Sequence, residues 1–244
     1  MFEPLTLDSR VKVEQFDALL MRWKEERGAP LFDWLSLPGA FDALQLHQHG
    51  GRIFASLLDL RLSVAALECD LDEIGRLLRS RPARLEAPNL SLLDRPELML
   101  ASFDLHCRNV SFILRYRAIL DKIMLLLVLT FAPDRLSQFT RARSRKRKFV
   151  SEMASHPQLP SEVVGHISKT AEIFDNRYRT AEAHGTGQAR KWSFTIGVVE
   201  FEEPQSDMFA AWQSLHPLLV AIGRMFRESG VQTRAVEHLG GAAG

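Results

Sequence analysis

Apolar residues recur along most of the chain at spacings of three and four, which is the period of an amphipathic helix. This pattern predicts a first helix over 7–27, a long core helix over 52–81 and another long helix over 96–132. Proline and glycine mark the connections between these segments. The second half of the 96–132 segment is apolar on almost every side, so we expect it to be the most buried element.

Two further helices are predicted in the C-terminal half. One begins at Ser161, whose side chain can cap it, and the other covers 206–230, with a kink expected at Pro217. Between them, residues 192–201 alternate large and smaller side chains, which indicates one short strand or extended segment. The predicted fold class is therefore all-α, a bundle of about five to seven helices.

The same pattern gives a domain organisation. It predicts an N-terminal helical region over 1–95 that packs on a helical core over 96–230, followed by a frayed tail over 231–244. The chain has 244 residues, of which 46% are hydrophobic and 25% charged, as in ordinary globular proteins. The formal net charge is only +1, so any affinity for nucleic acid must come from a local basic patch.

The chain begins without a basic segment followed by an apolar run, and its most apolar stretch, 123–132, is about half the ~20 residues that a bilayer requires. We therefore expect a cytoplasmic protein with no membrane association. Cys69 and Cys107 lie in apolar-periodic segments without metal-ligand spacing and are expected to be buried free thiols. His47 and His49 have no further ligand nearby, so neither a metal nor another cofactor is expected.

Polar and ionisable side chains are concentrated where the helix that begins at Ser161 ends. In a structural interpretation, they form surface ion pairs, and a terminal histidine interacts favourably with the helix dipole. In a functional interpretation, a guanidinium binds phosphate oxygens, a histidine moves a proton and an amide assists. At the α-helical period, Arg177 and His184 share a face, whereas Arg179 points elsewhere. The residues concerned are Asn176, Arg177, Arg179, Glu182 and His184.

A run of basic residues lies directly before this helix. Like charges this dense are usually solvated, as a loop or a helix face. The alternative is a strip that binds phosphates without sequence specificity. The run consists of Arg141, Arg143, Arg145, Lys146, Arg147 and Lys148.

Arg117 and Asp121 are four residues apart on the very apolar 96–132 helix. A buried carboxylate there needs a partner. Arg117 is the local candidate, and an arginine of the helix that begins at Ser161 is the distant one. In the second case, Asp121 would lie behind the candidate site and fix the orientation of that arginine.

An arginine followed after four to six residues by a histidine, near the end of the last core helix of a small helical bundle, resembles the HEPN superfamily. The spacing occurs in "RTAEAH" from Arg179 and in "RYRTAEAH" from Arg177, both of which end at His184. The stretches "AEAHGTG" and "RYRAILDK", residues 115–122, are also similar to HEPN sequences. The resemblance covers about residues 96–226.

The resemblance implies a function. Many HEPN proteins are metal-independent endoribonucleases that act as homodimers, with the motifs of both protomers in one composite cleft. It therefore implies RNA as the partner and cleavage by attack of the ribose 2′-hydroxyl. Arg179 is favoured for the motif because of its spacing and polar follower Thr180, with Arg177 as the second candidate.

Two alternatives stay open. Other HEPN proteins are non-catalytic, so the chain is alternatively a nucleotide-binding, RNA-binding or protein-interaction module of the toxin–antitoxin or stress-defence type. The residues alone also allow a purely structural helical bundle that works through a protein partner.

Overall fold

The structure, a computed structural model, describes residues 7–28, 32–80, 96–159, 161–180 and 204–240. Every regular element in these ranges is helical, which confirms the all-α prediction. Eight α-helices lie in these ranges, one more than the predicted upper limit: α1 (Leu7–Glu25), α2 (Leu37–Leu44), α3 (Gly50–Ser80), α4 (Pro96–Phe131), α5 (Leu136–Arg141), α6 (Arg145–Met153), α7 (Ser161–Phe174) and α8 (Pro204–Gly240).

Helices α2, α5 and α6 are not among the five that were predicted individually, and α5 and α6 belong to the segment of the basic run. A 3₁₀ turn at Pro133–Arg135 leads into α5, and α6 begins only four residues after α5 ends. Phe139 of α5 and Phe149 of α6 are both buried in the core. These two rings anchor the segment from the inside, and the basic run lies on two short docked helices and, at Arg143, on the connection between them.

The centre of the core is the second half of α4, which confirms the prediction that this segment is the most buried. Burial of each such side chain stabilises the fold by about 1.5–3 kcal/mol. One cluster of buried side chains extends from Trp34 to Phe226 and so joins the N-terminal helices to the later ones. The fully buried residues of this half of α4 are Ile119, Leu120, Ile123, Met124, Leu126, Leu127 and Val128.

Charged side chains also join α3 to α4. The carboxylate of Asp70 is 4% exposed and accepts a hydrogen bond of 2.9 Å from the hydroxyl of Ser111. The guanidinium of Arg115 lies 2.7 Å from the same carboxylate. A buried carboxylate needs such partners, because its desolvation would otherwise oppose folding.

Helix α1 is held on α3 by a buried ion pair. Lys24 Nζ lies 2.5 Å from Glu68 Oε2, and both side chains are 1% exposed. Burial raises the pKa of the Glu68 carboxyl, and the neighbouring ammonium of Lys24 opposes that shift. Nearby, the buried guanidinium of Arg61 lies 2.9 Å from Asp33. No periodicity or motif in the sequence indicates any of these residues.

Helix α8 passes very close to the segment before α2. A Cβ added at Gly223 would lie 1.9 Å from the carbonyl oxygen of Trp34, so only glycine permits this approach. Pro217 lies inside the helix, and the backbone continues to Gly240, beyond the predicted end at residue 230.

The strand or extended segment expected over 192–201 lies outside the described residues.

The prediction that both cysteines are buried is wrong. Cys107 is exposed and Cys69 is partly exposed, and both are free thiols. Apolar residues continue along the side of α4 that carries Cys107, which faces away from the core. The apolar spacing around Cys107 is therefore not evidence that the residue is buried.

Candidate nucleic-acid interface

A cavity of about 910 Å³ lies where α4, the start of α6 and the end of α7 meet. We call it the basic cleft. Helix α4 contributes Arg117 and Asp121, and the turn after α7 contributes Asp175 and Asn176. The structure thus brings part of the basic run, the predicted Arg117–Asp121 pair and one residue of the candidate motif to the same cavity. The remaining described lining is Ala142, Arg143, Ser144, Arg145, Lys146 and Arg147.

The basic residues of this run differ in their partners. Arg143, Arg145 and Arg147 are exposed and form no ion pair with any described residue. Lys146 lies 3.5 Å from Glu172, and Lys148 lies 2.6 Å from Glu152. Three guanidiniums therefore line the cleft without an acidic partner in the described ranges.

Arg141 and Lys148, by contrast, are not among the lining residues of the basic cleft. Arg141 ends α5 and is exposed. The ammonium of Lys148 also lies 3.2 Å from the side-chain oxygen of Gln138. The cleft therefore receives only four of the six basic residues of the run.

The first turn of α6 has an unusual charge for its position. Arg145, Lys146 and Arg147 occupy it, no acidic residue is present, and the side chain of Ser144 does not cap it. Cations at a helix N-terminus oppose the dipole by about 0.3–1 kcal/mol each. A local conflict of this kind is typical of a functional site, and a bound anion would relieve it.

The floor of the basic cleft is a buried ion network. Arg117 Nε lies 2.8 Å from Asp175 Oδ1, and its Nη1 lies 2.6 Å from Asp121 Oδ1. Asp121 therefore has the local partner that sequence analysis considered. The ion pair between residues far apart in the sequence joins Arg117 to Asp175, a residue that was not predicted to belong to the site. Its position directly before Asn176 was the only signal available.

A π-helical turn follows α7 from Asp175 to Arg179. Such turns form i→i+5 hydrogen bonds and occur frequently at functional sites. The prediction that Arg177 and His184 share a face assumed a uniform α-helical period. Arg177 lies within the π-helical turn, and His184 lies outside the described residues.

The described part of the motif is limited to its first residues. Asn176 and Arg177 are exposed, and the guanidinium of Arg177 lies 5.4 Å from the ring centroid of Tyr178. The side chain of Arg179 and the whole of Glu182 and His184 lie outside the described residues.

Two further hollows surround the end of α7. An apolar groove of about 590 Å³ between α6 and α7 shares Asn176 with the basic cleft. A smaller hollow of about 170 Å³ lies between the π-helical turn and α8, and shares Ile173 with the groove. We call the smaller hollow the aromatic pocket, because Tyr116, Phe174 and Tyr178 line it. The three hollows follow one another around the end of α7.

Within the described ranges, no cluster of three or more histidine, cysteine, aspartate or glutamate side chains is arranged to hold a metal ion. None of the helices described here combines the length and the apolar character needed to cross a bilayer. The side chains that line the basic cleft supply guanidinium, ammonium, amide, hydroxyl and carboxylate groups.

Comparison of the chain with protein-family models, with curated protein sequences and with solved structures found no match in any of the three.

Proposed function

We propose that the chain binds the phosphate backbone of RNA at the basic cleft. One observation carries this proposal: three exposed arginines without an acidic partner in the described ranges line the same cavity. A guanidinium offers a planar fork of donors that matches two phosphate oxygens and stays charged at every physiological pH. Groups that bind phosphate through charge give affinity without reading sequence.

The number of cleft cations sets the expected salt dependence. Binding releases condensed counterions, and the slope of log K against log salt is about −0.7 for each phosphate contacted on a single strand. Besides Arg117, which is paired with Asp121 and Asp175, four cations line the cleft, namely Arg143, Arg145, Lys146 and Arg147. A slope of about −3 is therefore expected for single-stranded RNA.

Fluorescence anisotropy with a labelled single-stranded RNA at several salt concentrations tests the proposal. The triple variant Arg143→Gln, Arg145→Gln, Arg147→Gln should weaken binding and reduce the magnitude of the slope by about 2, because it removes three of the four contacts. Arg52→Gln is the matched control, since Arg52 is exposed on α3 and does not line the cleft. Equal affinity and slope in the triple variant and the wild type would contradict the proposal.

RNA cleavage is the second candidate function. The π-helical turn within the HEPN-like motif favours it, as does the position of Asn176 in the cleft wall. His184 would accept the proton of the ribose 2′-hydroxyl, and Arg177 or Arg179 would stabilise the negative charge that develops on the phosphoryl oxygens. The 2′-oxygen forms a bond to phosphorus, the bond to the 5′-oxygen breaks, and that oxygen takes up a proton. A 2′,3′-cyclic phosphate remains.

A single histidine serves only one of the two proton transfers in this reaction. A homodimer with a two-fold axis would bring a second copy of His184 to the scissile phosphate. The test is incubation of the wild type and His184→Ala with single-stranded RNA in EDTA, alongside a 2′-deoxy substrate, which lacks the attacking hydroxyl. Cleavage that persists in His184→Ala or on the 2′-deoxy substrate would contradict this candidate. Binding without cleavage would identify a non-catalytic RNA-binding module instead.

A further inference from the structure

The aromatic pocket has the lining of a site for one planar ring. Tyr116 and Phe174 stack with ring centroids 4.0 Å apart and an interplanar angle of 22°. Tyr178 extends this column, with its centroid 5.0 Å from that of Phe174. The guanidinium of Arg177 lies over Tyr178 at the exposed side of the pocket. Aromatic rings and guanidinium planes are the surfaces on which proteins stack unpaired bases.

A chain of hydrogen bonds fixes the polar character of the pocket. The hydroxyl of Ser214 donates to the carbonyl oxygen of Ala211 at 2.7 Å. The hydroxyl of Tyr116, 2.7 Å from Ser214 Oγ, is then the donor in that contact. Burial raises the pKa of Tyr116 to about 12, so the phenol is neutral. Its oxygen keeps a lone pair with which to accept a hydrogen bond from a ligand.

Thr170 supplies a second polar group. Its side chain lines the pocket, the residue is only 9% exposed, and its hydroxyl forms no hydrogen bond within the described ranges. Threonine in a helix commonly donates to the carbonyl four residues earlier, as Thr130 does to Leu126. The residue is largely covered, but its hydroxyl oxygen is not among the enclosed atoms that lack a partner, so it is open to a ligand that accepts or donates a hydrogen bond there.

The volume limits the ligand. Sites for drug-sized molecules occupy about 300–1,000 Å³, whereas this pocket occupies about 170 Å³. It is therefore suited to a single ring system. We propose that the aromatic pocket binds one nucleobase of an RNA whose phosphates lie in the basic cleft. The second half of this statement rests on the function proposed above, whereas base binding itself can be tested separately.

The route between the two sites passes over the end of α7. The basic cleft reaches Asn176, the apolar groove extends from Asn176 to Ile173, and the aromatic pocket begins at Ile173. Ile173 is 53% exposed although it is a large apolar residue. A flexible single strand, unlike a duplex, can place phosphates at one end of this path and an unstacked base at the other.

Saturation-transfer NMR with adenosine, guanosine, cytidine and uridine tests base binding directly. These probes carry no phosphate, so the basic cleft does not affect the result. At least one nucleoside should give saturable transfer to its base protons.

Thr170→Val keeps the shape of the side chain but removes the hydroxyl, and should weaken binding about fivefold, the loss expected for one neutral hydrogen bond. Ala210→Phe should abolish binding by filling the pocket, and Ala210 is exposed, so the fold tolerates the change.

Thr130→Val is the matched control, because it removes a helical threonine hydroxyl outside the pocket and should leave nucleoside binding unchanged. Absence of transfer from all four nucleosides, or transfer that survives both Thr170→Val and Ala210→Phe, would overturn the proposal. Binding of inorganic polyphosphate, measured in parallel, should be unaffected by Thr170→Val. If the triple arginine variant instead keeps full RNA affinity, the phosphate-binding function fails while the nucleoside result stands on its own.

Discussion

The Nε atom of Arg117 lies 2.8 Å from the Oδ1 atom of Asp175, and this contact ties the end of α7 to α4 at the floor of the basic cleft. The same guanidinium also lies 2.6 Å from Asp121. One buried cation thus holds two carboxylates from two helices. The backbone that presents Asn176 to the cleft is fixed by this network.

Replacing Arg117 by methionine should destabilise the fold by leaving two carboxylates without their cation. Removing one partner of a fully buried ion pair costs about 3–5 kcal/mol. Asp121 and Asp175 are 25% and 22% exposed, so water compensates in part. We expect a loss of about 2 kcal/mol in the free energy of unfolding, measured by urea denaturation.

The matched control for that variant is Arg22→Met. Arg22 forms an ion pair with Glu26 on the exposed side of α1. Exposed pairs contribute little, so the free energy of unfolding should change by no more than about 0.5 kcal/mol. Equal losses in both variants would show that the buried network has no special role.

Replacing Lys24 by methionine should make stability depend on pH. The carboxyl of Glu68 would stay buried without its ammonium partner, at a cost of about 3–5 kcal/mol at neutral pH. Burial already raises the pKa of Glu68, and loss of Lys24 removes one influence that lowers it. The folded state then binds the proton more tightly than the unfolded state does.

The sign of this dependence follows from that difference. In Lys24→Met, protonated Glu68 contributes stability that is fully present below the ordinary carboxyl pKa of 4.5. This contribution is lost as the pH rises from 4.5 through the higher pKa of Glu68 in the folded state. Urea denaturation across this range measures the effect. Adding Glu68→Gln removes the titrating group, so the extra pH dependence should disappear. A loss that is the same at every pH would contradict the prediction.

Replacing Gly223 by alanine should destabilise the packing of α8. The added Cβ would lie 1.9 Å from the carbonyl oxygen of Trp34, so the backbone must shift. We expect a loss of about 3 kcal/mol, at the upper end of the usual range for overpacking. Thermal denaturation measures it.

Gly165→Ala is the opposite case. A Cβ at Gly165 in α7 would meet nothing within 4 Å. Alanine is favoured over glycine inside a helix by about 0.5–1 kcal/mol, so this variant should be slightly more stable than the wild type. Destabilisation by both alanines would mean that close approach to Trp34 is not the cause.

The two thiols should react at different rates with a disulfide reagent in the native protein. Cys107 is exposed, whereas Cys69 is partly covered and burial raises the pKa of its thiol. The thiolate is the reactive form, so Cys107 should react first. Cys107→Ser should remove the fast phase, and Cys69→Ser should leave it intact. A fast phase that survives Cys107→Ser would contradict this order.

The long helices could be predicted from the sequence because their apolar positions follow one period over many turns. Helix α3 was expected over 52–81 and spans Gly50–Ser80, and α4 was expected over 96–132 and spans Pro96–Phe131. The basic run could not be resolved in this way. Its two anchors, Phe139 and Phe149, lie ten residues apart, too few to establish a helical period.

The site was less predictable for two physical reasons. A π-helical turn depends on tertiary packing and has no sequence period of its own, so the phase of the residues after Phe174 could not be derived. Ion pairs between residues far apart in the sequence could not be predicted either, since no local pattern links Arg117 to Asp175, which are 58 positions apart. What the sequence did indicate was that the basic run directly precedes the helix that leads to Asn176. In the structure, four residues of that run and Asn176 line the basic cleft.

The charges of the basic cleft are arranged by depth. At the floor, two carboxylates surround the single guanidinium of Arg117, so the floor carries a net negative charge. The exposed guanidiniums of Arg143, Arg145 and Arg147 lie at the rim. An anionic polymer is therefore attracted at the mouth and repelled from the bottom. Its affinity should grow with the length of chain that crosses the rim rather than with how deeply any one group enters.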